Sequence, residues 1–166
     1  MTRAKRRSFE TGHRPKFLVI ADGSPESGRA VHFAARRSAR TGANMVVLGV
    51  VAPPEGFEWL GVGDVIRAEA EETAARLLDA AAALARAAAG VDPERVMREG
   101  ESAEAITALI DEDEDISFLV LAAATDSSGP GPLVTTIAGK GSSTFPIPIV
   151  IVPGNLADEE IEALAG

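Results

Sequence analysis

The 166-residue chain predicts a single-domain α/β fold around an open five-stranded parallel sheet with helices on both faces. Three observations carry this. The run Phe17–Ala21 is continuously apolar, and Ile116–Ala123 is apolar but for Ser117, as strands of a parallel sheet covered on both faces should be. Each exits into a loop of small polar residues, Asp22-Gly23-Ser24-Pro25 in one case and Thr125-Asp126-Ser127-Ser128-Gly129 in the other. A hydrophobic content of 46% with only 4% aromatics calls for Ala-rich helices close against a sheet filled by Val, Ile and Leu. Ligands of such sheets bind beyond the carboxyl ends of the strands, where strand order reverses. The two exits therefore mark a candidate pocket.

After the first strand, Ser24 is the expected N-cap of a helix, with Pro25 at its first position and Glu26 favouring the positive end of the dipole. Gly42 can close that helix in a left-handed conformation. Arg29, His32, Arg36 and Arg40 share one face of it and Ala30, Val31, Ala34 and Ser38 another, which puts His32 on the wet side. Met45–Val51 is the second strand. The loop Pro53–Gly61 holds Phe57 and Trp59, and two readings stay open for it: a lid over a ligand, or an anchor to the core. An Ala-rich helix spans Asp64–Ala89, with Ile66, Ala70, Leu77, Ala81, Leu84 and Ala88 on one stripe and Gly90 beyond its end.

Arg95–Arg98 is a short, less buried strand, and Gly100 and Ser102 start a third helix that turns Ile106, Leu109 and Ile110 inward. The acidic run Asp111–Asp115 reads as a solvated connection, because consecutive acids point in different directions and no calcium-loop spacing is present. Ile116–Ala123 is the fourth strand. Ile147–Val152 is the fifth, and its flanking Pro148 and Pro153 fit only a strand start or a sheet edge. Between the last two strands lie Ala124–Pro132 and a short helical stretch near Val134–Lys140, interrupted by Gly139-Lys140-Gly141-Ser142. The tail Leu156–Leu164 is expected to form a small amphipathic helix.

Composition excludes several classes. With no cysteine, disulfides, thiolate zinc sites and thiol catalysis are ruled out, and the chain fits a reducing cytoplasm. No apolar run of secretory length follows the basic amino terminus and nowhere do ~18 apolar residues run together, so a soluble cytoplasmic protein without membrane partners is expected. Residues 1–16 hold six Lys/Arg against one Glu, while the formal charge of the whole is −9. The body is therefore acidic and repels nucleic acid backbones. His13, in the basic segment, is expected to be a bystander.

Val19-Ile20-Ala21-Asp22-Gly23-Ser24, the segment Thr41-Gly42-Ala43 before an apolar strand, Gly100 before a helix carrying Ile106, and Phe145-Pro146-Ile147-Pro148-Ile149-Val150-Ile151-Val152-Pro153 at the close together resemble the universal stress protein family. The resemblance covers about residues 15–153. It leaves 1–14 as a basic flexible tail and 154–166 as a short acidic tail or helix. It implies the strand order 3-2-1-4-5, with a nucleotide held between strands one and four. Asp22, with Gly23 and Ser24, would face the ribose or adenine side, and backbone near Val50 and Val51 would meet the base.

In the family, phosphates are held by a Gly-x-x-Gly-x9-Gly-Ser/Thr pattern, whose positions fall here on Ala122, Thr125, Thr135 and Thr136. All three glycines are replaced, and only the hydroxyl of Thr136 remains to donate to phosphate. Glycine allows positive φ and close approach of N–H groups to phosphate oxygens, which a β-branched Thr does badly. Gly129 and Gly131 restore flexibility at shifted positions. Lys140 is no Walker A lysine, since Gly141 follows it and no Gly stands five residues before Gly139. A receiver domain is excluded too, because Arg98 and Glu99 end the third strand where a phosphoacceptor aspartate would stand.

The resemblance thus implies a non-catalytic binding or signalling module of a stress response, with ATP or AMP as ligand and no metal beyond nucleotide-associated magnesium. It also implies a homodimer through the edge strand Ile149–Val152, whose apolar edge without an inward charge needs a partner or a cover. Two alternatives stand beside it: a slow nucleotide phosphohydrolase using Asp22, and a structural dimeric protein that binds partners with an empty pocket.

Overall fold

The structure, a computed structural model, describes residues 5–54 and 61–166; Phe57 and Trp59, with their lid-or-anchor alternative, lie outside the described residues. Strands β1 (Lys16–Ile20), β2 (Asn44–Val51), β3 (Glu94–Glu99), β4 (Ile116–Ala123) and β5 (Ile149–Pro153) form one sheet in the order β3-β2-β1-β4-β5. All four pairings are parallel. Helices α1 (Ser27–Thr41), α2 (Gly63–Ala89), α3 (Ser102–Glu112) and α4 (Asp158–Leu164) surround it. The β4-to-β5 connection contains a π-helical segment, Val134–Lys140, and a 3-10 turn, Ser142–Thr144.

The two-residue period of the strands divides the core into two layers. Phe17, Val19, Met45, Val47 and Val120 face α1 and α2, packing on Ala30, Val31, Ala34, Leu78 and Ala85. Leu18, Ile20, Val46, Leu48, Leu119 and Leu121 face the other way, onto Ile106, Leu109 and Ile110 of α3 and onto Val134 and Ile137. Close helix approach depends on small residues. A Cβ on Gly49 would lie 3.2 Å from Leu78 Cγ, so the glycine in β2 lets α2 settle directly on the sheet. The α2 stripe is deepest along Ala74, Leu78, Ala81 and Ala85, with the expected Leu77 and Leu84 at its margin.

Local chemistry moves several boundaries from their expected places. Ser24 does not cap α1: its N–H and Oγ both donate to Asp22 Oδ1, at 3.0 and 2.7 Å, and this turn delays the helix to Ser27, with Glu26 in the cap position. Such side-chain-to-backbone bonds compete with helix initiation. The cap of α3 is Glu101, whose carboxylate accepts the N–H groups of Ala103 and Glu104 at 3.0 Å each. β5 starts at Ile149 rather than Ile147, because Pro148 has no N–H to enter the ladder, although its carbonyl accepts from Leu119 N at 3.0 Å.

His32 is buried, at 6% exposure, against the expectation of a wet face. The cause is α4, which docks over that face of α1. His32 Nε2 lies 2.9 Å from Glu162 Oε1, Arg29 donates to Asp158 Oδ1 at 2.6 Å, and Arg40 Nη1 donates to the Glu162 carbonyl at 2.6 Å. Ile161 and Ala165 are fully enclosed beneath. The acidic run likewise finds partners: Asp113 pairs with Lys16, Asp115 with His13, Glu114 with Arg7 and Glu112 with Arg98. His13 therefore has a partner, its Nδ1 lying 2.7 Å from Asp115 Oδ1, and Ser8 in the basic segment is buried.

No helix among the described residues is long and apolar enough to cross a membrane.

Candidate functional site

Strand order reverses between β1 and β4, and beyond their carboxyl ends opens a cavity of about 520 Å3. Ile20 and Leu121 to Ala122 contribute from the strand ends, Asp22 to Ser24 and Glu26 from the approach to α1, and Glu101 to Ala103 from the start of α3. Pro130 to Val134 and Thr136 close it from the β4 exit. A second cleft, of about 370 Å3, shares Ile20, Asp22 and Ser102 with the first and adds Val50, Val51 and Leu77. Asp22 thus lines both spaces.

Of the site residues expected from sequence, Asp22, Gly23, Ser24, Ala122, Gly131 and Thr136 line the larger cavity, and Val50 and Val51 line the adjoining cleft. Thr125 falls instead in a separate cleft with Glu26, Asp126 and Gly154. Gly129 and Thr135 line none of the three. The Thr135 hydroxyl turns back to donate to Gly131 O at 2.8 Å, as a Thr in a helical turn commonly does. Among the described residues only glycines take positive φ, Gly129 at 103° and Gly131 at 101° included. The loop after β4 therefore bends at its shifted glycines and not at Thr125 or Thr135.

Electrostatically the larger cavity is one-sided. Asp22, Glu26 and Glu101 line it, and no Lys, Arg or His does among the described residues. Glu101 is held below the ordinary carboxylate pKa by the N–H groups of Ala103 and Glu104, so it is ionised at neutral pH. Asp126, in the neighbouring cleft, is lowered by the hydroxyl and N–H of Ser128. Sequence reasoning did not find Glu26 or Glu101. The one available signal was Glu101 standing directly before the expected start of α3, where negative charge complements the helix dipole.

Two features could serve an anion here, and both are already engaged internally. The amino terminus of α3 holds the Glu101 carboxylate, where a phosphate would otherwise sit. In the loop after β4, the N–H of Ala124 goes to Pro130 O, that of Ser128 to the Asp126 side chain, that of Gly129 to Asp126 O and that of Thr135 to Gly131 O, while Pro130 and Pro132 have none. A triphosphate needs converging N–H donors or cations; among the described residues no cation lines the cavity, and of the expected donors the Thr136 hydroxyl does. The adjoining cleft offers a ring-and-sugar group apolar contacts from Ile20, Val50, Val51 and Leu77 and a hydroxyl acceptor in Asp22.

The model of the universal stress protein family matches residues 13–153. No curated protein matches the chain. Among solved structures, a universal stress protein in complex with cAMP is 21% identical with a TM-score of 0.58, over 85% of this chain and 98% of that one. The universal stress protein from Archaeoglobus fulgidus in complex with dAMP is 20% identical with a TM-score of 0.56, over 83% and 96%. Another structure of a universal stress protein from that organism is 20% identical with a TM-score of 0.63, over 89% and 99%. At these identities the likeness is one of fold.

Proposed function

The chain belongs to the universal stress protein family, and from that premise we propose that it is a non-catalytic, cytoplasmic binding module of a stress response, with an adenine ligand between β1 and β4. The observation that carries this is that the 520 Å3 cavity and the Val50–Val51 cleft share Ile20, Asp22 and Ser102 as walls. Base and sugar would lie on the cleft side, with Asp22 accepting from a ribose hydroxyl. Solved relatives in complex with cAMP and dAMP lend support to an adenine ligand. The hydrolase alternative has less support. Asp22 Oδ1 already accepts two hydrogen bonds from Ser24, and among the described residues no cation lines the cavity to stabilise a leaving phosphate.

Mass spectrometry of small molecules released from gently purified protein tests the reading. A stoichiometric adenine compound supports it. Release of nothing, together with no thermal shift on adding adenosine, AMP or cAMP, overturns it.

A specific observation also favours association through β5. Ile151 on this terminal strand is 42% exposed, and among the described residues the strand pairs with β4 alone. A second copy of β5 pairing antiparallel would satisfy its free backbone edge, with Pro148 and Pro153 limiting the length of the new ladder.

A further inference from the structure

Resting on the adenine-ligand reading, we propose that Glu26 and Glu101 make the cavity select against phosphate charge, so that it takes a nucleoside or a minimally charged nucleotide ester and refuses ATP. Glu101 occupies by itself the α3 amino terminus that faces the cavity, with both oxygens engaged by backbone N–H groups at 3.0 Å. A phosphate could use those donors only by displacing an ionised carboxylate. Glu26 stands across the entrance from the loop after β4: its Oε1 lies 3.9 Å from the point where a Cβ on Gly131 would be. It lines both the cavity and the Thr125 cleft, so phosphates lying along that loop from either side meet its charge. Asp126 adds a further negative group in the Thr125 cleft, and among the described residues no lining cation offsets the three carboxylates of the cavity. Glu26 is half-buried while Asp22 and Glu101 are exposed, so their repulsion of a phosphate acts at short range and is screened by salt.

The test is calorimetric titration of the full chain with adenosine, cAMP, AMP and ATP at low and high salt, repeated for Glu26→Gln and Glu101→Gln. Both substitutions keep shape and remove charge, and the Glu101→Gln amide oxygen can still accept one of the α3 N–H groups. Glu159→Gln, outside the cavity, controls for net charge. The expected order of affinity is adenosine and cAMP above AMP, with ATP weakest. The ATP-to-adenosine affinity ratio should rise roughly two- to fivefold in each cavity variant, as loss of one exposed or half-buried like charge implies, and should stay put in the control. High salt should narrow the wild-type preference.

Binding of all four ligands with similar affinity, and a ratio unmoved by Glu26→Gln or Glu101→Gln, overturns charge selection while the adenine-ligand reading stands. ATP binding gained only in the cavity variants supports charge selection even when the wild-type protein binds nothing tightly. Absence of binding by every ligand to every variant overturns both.

Discussion

Gly154, just after β5, tests whether the cavity wall and the sheet are mechanically one unit. Its N–H donates to Ala123 O at 2.8 Å. A Cβ added there would stand 2.7 Å from that same oxygen and 2.7 Å from Glu26 Cβ, where ordinary contact begins at 3.4 Å. Gly154 is not among the glycines with positive φ, so an alanine there reports space and not conformation. Neither neighbour is a flexible tip. One is the backbone of β4, and the other is the root of the side chain at the α1 cap. Gly154→Ala must therefore push the strand end and helix start apart, or lift the β5 exit and break the hydrogen bond. Overpacking costs about 1–3 kcal/mol and a net hydrogen bond about 0.5–1.5 kcal/mol, which gives an expected loss of about 2–4 kcal/mol. Urea unfolding should show this as a lower midpoint at unchanged slope, with Gly154→Val worse than Gly154→Ala. A Gly154→Ala protein within about 0.5 kcal/mol of wild type, the range of ordinary surface substitutions, would refute the reasoning, because the three segments would then not be in obligatory contact.

Three further outcomes are expected. Leu78→Ala, at a site 5% exposed, should cost about 2–5 kcal/mol; Gly49→Ala, which crowds Leu78 in the wild type, should become less costly in that background, and a coupling below about 0.5 kcal/mol in the double-mutant cycle would argue against their contact. Glu162 is held below its ordinary 4.5 chiefly by hydrogen bonds from His32 and Arg36, and Asp158 below its ordinary 3.8 chiefly by Arg29. Carboxyls lowered in the folded state contribute stability that is present above those ordinary values and lost as pH falls through the folded ones. Hydrogen exchange should therefore show α4 opening from α1 below about pH 4.5, and Glu162→Gln should weaken that dependence. Ile151→Lys should shift sedimentation equilibrium toward monomer without unfolding, and a wild-type protein that is monomeric at high micromolar concentration would refute pairing through β5.

How much of the fold could be read from sequence follows from how each element is covered. β4 was legible to the residue because both its faces are packed, which makes it an apolar run broken only by Ser117. β3 was legible only as a short stretch, since Val96 and Met97 alone gain partial burial among exposed neighbours. The start of α1 was misplaced by a competition within a few residues: Ser24-Pro25 is a good helix opening, but Asp22 captures Ser24 first. His32 was misplaced for a longer-range reason. Periodicity separates two faces of a helix but does not say what covers the polar one, and the acids that do so, Asp158 and Glu162, lie far downstream. The clue was charge pattern, since the row Arg29, His32, Arg36, Arg40 matches the acids of the tail.

At the candidate site, motif spacing found positions along the chain but not what fills the space between them. Thr125 and Thr135 take the places of glycines that would have to open their backbone toward a phosphate. Neither position takes positive φ here, and Ala124, Ser128, Gly129 and Thr135 all donate within the loop, with the π-helical segment beginning at Val134, directly after it. Restoring glycine at 125 and 135 alone should accordingly leave ATP unbound. The α3 terminus would still be filled by Glu101, and Glu26 would still face the loop.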